Sequence, residues 1–177
     1  MRELIVHVGR DFDCRPWLLL GLLLSLAHAV AADEHGLRLG KAVYKKANCV
    51  GCHKWHGGGG GGYGGVALSL RETQLDRDWL ITLVRCGRPG TRMPYHDRKA
   101  YTGDSRDCYQ TPAAEFGDTL PPKAPKTLRD KEINAVVDYV QAKIQGRGPP
   151  GYEDCADFWG ADATRCRRMQ GTASAQY

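Results

Sequence analysis

Cys49-Val50-Gly51-Cys52-His53 places two thiols three positions apart, with an imidazole directly after the second. On a tight helical segment the thiols sit on neighbouring turns, so each can form a thioether to one of the two vinyl groups of a single haem. The adjacent histidine then sets a ring nitrogen below the iron as proximal ligand. Two other chemistries use similar residues. A thioredoxin-like redox pair expects a βαβ context, and no strand of alternating pattern precedes Cys49. A zinc site built from Cys49, Cys52, His56 and a distant cysteine leaves His53 without a role, and its ligands compete with disulfide formation. The five residues are therefore read as the attachment site of one haem c. Cys49, Cys52 and His53 bind the cofactor, and His53 ligates the iron.

The chain around this site has 177 residues, seven cysteines and a formal charge of +5. That length fits one modest domain with additions. The charge is too mild for a dedicated nucleic-acid binder, whose basic residues would be denser and interleaved with stacking aromatics. At the N-terminus, Arg2, Arg10 and Arg15 precede an apolar run from Trp17 to Leu26 and the small residues Ala27, Ala29, Ala31 and Ala32. This is the pattern of a secretory signal peptide over 1–32. The run falls short of the ~20 apolar residues that span a bilayer, so cleavage and a periplasmic product without a membrane span are expected. Cys14 is lost with the signal, which leaves six cysteines in the exported chain.

Both flanks of the motif are helical in pattern. Leu37, Gly40, Tyr44 and Ala47 share one face before it. Far downstream, Ile133, Val136, Val137, Val140 and Ile144 form the apolar stripe of an amphipathic helix over 128–144, which Gly146 ends. A further helix is predicted over 74–85. With these helices in place, the sequence resembles the class I c-type cytochromes. The resemblance implies an all-α cytochrome c fold over 33–148, wrapped around one covalently bound haem. It also implies a close crossing of the first and last helices, which Gly40 permits and for which Tyr139 is a packing partner. Gly64-Gly65-Val66-Ala67-Leu68 is similar to the family's Gly-Pro-x-Leu segment, whose backbone bonds the proximal histidine; here glycine or valine stands in place of proline. The glycine run from Gly57 to Gly62 lacks the strand and the Gly-Lys-Ser/Thr context of a phosphate site. It is read as a loop passing close to the porphyrin.

Met93 lies in Gly87-Arg-Pro-Gly-Thr-Arg-Met-Pro94, which resembles the family's distal Met-Pro loop in order and distance from the motif. The resemblance makes Met93 the sixth iron ligand, and its soft thioether favours ferrous iron. His96 is the main rival. His56 lies too close to His53 to reach the other face, Met169 sits in a polar tail, and His35 is the remaining candidate.

Two segments depart from a minimal single-haem domain. An insertion at 97–127 is rich in Pro, Asp, Gly and Thr, and a polar tail occupies 149–177. Both are read as irregular, and together as a partner-specific docking surface. Cys86, Cys108, Cys155 and Cys166 allow three pairings. Cys86–Cys108 across the Met loop and Cys155–Cys166 across the tail enclose short loops and are favoured over other matches or intermolecular bonds. From Lys41 to Lys99 there are 11 bases and four acids, and Arg85, Arg88, Arg92, Arg98 and Lys99 surround the Met loop. A basic haem edge would steer an acidic redox partner. No nucleophile or acid/base pair is visible, so the expected role is electron transfer between a dehydrogenase donor and an oxidase or cytochrome acceptor, not enzymatic turnover. A dedicated subunit of a periplasmic dehydrogenase complex is the alternative, and a haem sensor or gas-binding protein stands behind it.

Overall fold

A computed structural model of the chain describes residues 34–60 and 67–173, with side chains to residue 170. The expected signal peptide and residues 61–66 of the glycine-rich stretch lie outside the described residues. Helix α1 covers residues 34–46. It is followed by α2 (Cys49–His53), α3 (Arg77–Cys86), β1 (Tyr95–Asp97), α4 (Ala113–Phe116) with a 3-10 turn (Gly117–Thr119), β2 (Lys123–Leu128), α5 (Asp130–Lys143), α6 (Tyr152–Trp159) and α7 (Thr164–Ala173). Among the described residues no helix is long and apolar enough to cross a membrane.

The core forms where α1 crosses α5. The predicted stripe of α5 is buried throughout, from Ile133 to Ile144, and it meets Val43 and Tyr44 of α1. Gly40 sits at the point of contact. A Cβ there would lie 2.0 Å from the Ala135 carbonyl oxygen and 2.6 Å from Tyr139 Cβ. Only a residue without a side chain allows the two backbones this close. Tyr44 and Tyr139 then meet with ring centroids 5.9 Å apart. Helix α5 stops before Gly146, at Lys143. Helix α3 begins at Arg77, later than the predicted 74, because the Asp76 side chain accepts the Trp79 N–H at 2.9 Å and caps the helix there.

The insertion is ordered at both ends, where two short strands depart from the expected all-α fold, while residues 98–112 run in turns and loop as an irregular segment does. It begins and ends in two strands that pair in parallel, Tyr95 opposite Lys123 and Asp97 opposite Leu128, with an irregularity between. Strands this short leave no alternation to read in sequence. Between them, Tyr95, Tyr101 and Tyr109 surround Cys86, Ala100 and Cys108 in a second small core. The Cys86–Cys108 disulfide lies inside it. The tail is ordered as well. Helices α6 and α7 are stapled by Cys155–Cys166, and Phe158 enters the main core edge-on to Tyr44, with centroids 6.2 Å apart. Lys45 Nζ donates to the Phe158 carbonyl at 2.6 Å, so the polar composition of the tail hides an anchored apolar face.

Candidate functional site

A cavity of about 400 Å³ opens between α2, the Met loop and β2, within the size range of small-ligand sites. Cys49, Cys52, His53 and Met93 all border it. Helix α2 brings the first three together as expected: it spans only the motif and ends where the Lys54 N–H donates to the Val50 carbonyl. Cys49 and Cys52 are unpaired, whereas Cys86, Cys108, Cys155 and Cys166 are all in disulfides. Burial pushes the Cys49 thiol up to about 12. A redox-active pair needs a lowered thiol pKa, so this environment disfavours thioredoxin-like chemistry. Among the described residues no group of three or more His, Cys, Asp or Glu is placed to hold a metal ion.

His53 Nδ1 lies 3.1 Å from the Leu68 carbonyl oxygen and donates to it. Burial lowers the pKa of this imidazole, against the smaller opposing effect of that carbonyl, and so favours the neutral form. Carbonyl and burial together leave Nε2 as the ring's electron-pair donor, the state in which histidine binds metals. The backbone bond to the histidine is thus present although proline is absent from the segment. Its geometry comes from the ends of the glycine-rich loop, where Gly60 N–H donates to the Ala67 carbonyl at 2.9 Å and Leu70 N–H to Gly57 at 2.7 Å. Leu68 is 60% exposed at the cavity, an apolar side chain with a surface free for a flat ligand.

The Met loop is held from several sides. Gly87 ends α3 at φ +70°, with Pro121 Cβ, the Met93 oxygen and the Tyr95 nitrogen all within 2.8 Å of where a side chain would begin. The Tyr109 hydroxyl donates to the Gly87 carbonyl at 2.5 Å and the Tyr101 hydroxyl to Cys86 at 2.8 Å. Gly90 N–H reaches the Thr119 carbonyl at 2.8 Å, and Met93 N–H donates to Thr91 Oγ1 at 3.1 Å. The insertion therefore buttresses the loop that carries Met93. Pro125 and Lys126 of β2 also border the cavity, a contribution that no local sequence signal reveals because it depends on pairing with β1.

The other candidate ligands separate clearly. His96 is buried, borders the same cavity, and has Nδ1 2.9 Å from the Lys126 carbonyl. Burial lowers its pKa too. His56 lies in a different, smaller cavity with Arg71, and its Nδ1 accepts the Gly58 N–H at 3.0 Å. Met169 is on α7 and His35 is exposed on α1, neither of them at the cavity. Of the expected basic cluster, Arg85 is spent on Asp97 and Asp130, each at 2.9 Å. Arg88 and Arg92 are exposed at the cavity rim together with Lys126.

Two unpaired thiols, a neutral imidazole with one free nitrogen, a thioether and an apolar wall fit a covalently attached haem and its iron. Comparison with known proteins bears on the same point. The cytochrome c family model matches residues 37–143, more than half of the chain. No curated protein and no solved structure matches it. The matched span runs from α1 through the Cys49–His53 motif and the Met loop to the end of α5, and the chain belongs to the cytochrome c family.

Proposed function

We propose that the protein is an exported electron carrier with one haem, ligated by His53 and Met93, that shuttles electrons between periplasmic redox partners. Membership of the cytochrome c family supports a haem-based electron carrier with covalently bound haem c. The finer reading is carried by one observation, that Cys49, Cys52, His53 and Met93 border a single cavity. When bound, the haem would supply one-electron ferric/ferrous chemistry. Cys49 and Cys52, unpaired at the cavity wall, would be the two points of covalent attachment. The Leu68 carbonyl keeps His53 in the ligating tautomer, and the Met93 thioether favours the reduced state. Two disulfides agree with an oxidising compartment. Exposed Arg88, Arg92 and Lys126 at the rim favour an acidic partner, whose encounter they would speed.

The test is a spectrum and redox titration of the chain produced with its export signal in a host that attaches haem. One covalent haem per chain, six-coordinate and low-spin in both states with an iron–sulfur signature and a reversible one-electron wave, is expected. A chain that carries no covalent haem, or one lacking the sulfur signature, overturns the reading. Transfer rates to an acidic partner should fall with ionic strength, and rates independent of salt would remove the steering role. The dedicated-subunit alternative draws support from Pro125 and Lys126, which put the insertion at the cavity mouth. Co-purification with a large dehydrogenase would favour it.

A further inference from the structure

Three charged or polar residues are buried among the described residues: Arg71, Glu132 and His96. The first two are fully engaged. Arg71 donates to the carbonyls of His56 and Arg147 and to the Asp154 carboxylate, and Glu132 accepts from Lys46 and from the Arg129 N–H. His96 is engaged on one side only. Its Nδ1 donates to the Lys126 carbonyl at 2.9 Å, which fixes the proton there and leaves Nε2 with its lone pair in a residue that borders the same cavity as Met93. His53 is arranged in the same way on the Leu68 carbonyl. A ring nitrogen bonded to a backbone carbonyl is how proteins set the tautomer and orientation of metal-ligating imidazoles.

The supports of Met93 and His96 differ. Met93 sits in a turn whose residues Arg88, Gly90, Thr91 and Arg92 are exposed. His96 is the central residue of β1, paired with β2 and packed on α3, whose last residue is pinned by the Cys86–Cys108 disulfide. Opening of the turn would carry Met93 away and leave His96 in place.

We propose that His96 is a reserve axial donor, whose Nε2 takes the sixth iron position when Met93 is lost. It keeps the iron six-coordinate and closed to small gases. The proposal rests on the haem reading above. Replacing a thioether by a second imidazole also removes the preference for ferrous iron, so the potential falls.

The test compares the haem-loaded full chain as wild type, Met93→Ala, Met93→Ala/His96→Asn and His96→Asn. Asparagine can still donate to the Lys126 carbonyl but offers no second nitrogen. Absorption and electron paramagnetic resonance report ligand set and spin state, and carbon monoxide titration reports access. Met93→Ala should stay low-spin with a two-imidazole signature and bind carbon monoxide at least tenfold more weakly than the double variant. The double variant should be high-spin and five-coordinate, and His96→Asn alone should keep the sulfur signature. A high-spin Met93→Ala protein that binds carbon monoxide like the double variant overturns the proposal, as does a double variant that remains low-spin. Met93→Leu, which preserves side-chain volume, substitutes where the alanine protein fails to accumulate. A wild type without the sulfur signature overturns the ligand reading itself, so the two failures are distinguishable.

Discussion

Replacing Gly40 by alanine should destabilise the protein, although alanine is the better helix former. In a helix interior, Gly→Ala contributes about 1 kcal/mol of stability through propensity alone. At Gly40 the new Cβ would stand 2.0 Å from the Ala135 carbonyl oxygen and 2.8 Å from its carbon, against ordinary contacts of about 3.5–4 Å. The obstacle is backbone in the middle of α5 and cannot rotate away, so α1 and α5 must part. Overpacking of this kind costs roughly 1–3 kcal/mol, and an unyielding neighbour puts the site at the upper end. The net loss is then about 2 kcal/mol, or roughly 4–8 °C in melting temperature for a chain of this size. Gly36→Ala provides the control in the same helix, because its Cβ would meet nothing within 4 Å. That variant should be neutral or stabilised by up to about 1 kcal/mol. Thermal unfolding of the haem-loaded proteins, followed by circular dichroism, separates the two. If Gly40→Ala melts at or above Gly36→Ala, the close crossing of α1 and α5 is refuted.

Glu132 is held down at about 2, first by the Lys46 ammonium and then by the Arg129 backbone N–H. A depressed carboxylate contributes stability above its unfolded pKa near 4.3 and loses it as pH falls through about 2. With Lys46 43% exposed, solvent screening leaves about 1 kcal/mol. Denaturant midpoints should drop between pH 5 and pH 2, and Glu132→Gln should flatten that slope; an unchanged slope would count against the Lys46–Glu132 tie between α1 and α5. Cys86→Ala/Cys108→Ala opens a loop with a sequence separation of 22 and should cost about 3 kcal/mol in guanidinium unfolding. A midpoint equal to wild type would show that the bond does not brace the Met loop.

The motif at Cys49–His53 was legible because its spacing falls within a single helical turn and a half, which is local, and α2 covers those five residues. The stripes of α1 and α5 were legible for the same reason: helical periodicity repeats within a few residues, and the α5 stripe is buried as written. Even on α1 the reading was partial, since the fully buried Val43 falls outside the expected stripe. What lines the far side of the cavity was not legible. Lys126 reaches it only because β2 pairs with β1 across the insertion, and His96 becomes a one-sided donor only because that pairing presents the Lys126 carbonyl. The tail misled in the same sense, because Phe158 and Trp159 at the end of one short helix are no signal until Tyr44 is found beside Phe158. Sequence by itself determined the spacing of the Cys49–His53 motif and the two helices that frame it. Tertiary structure decided which donors share the cavity and how firmly each is held, because those properties depend on contacts between residues far apart in the chain.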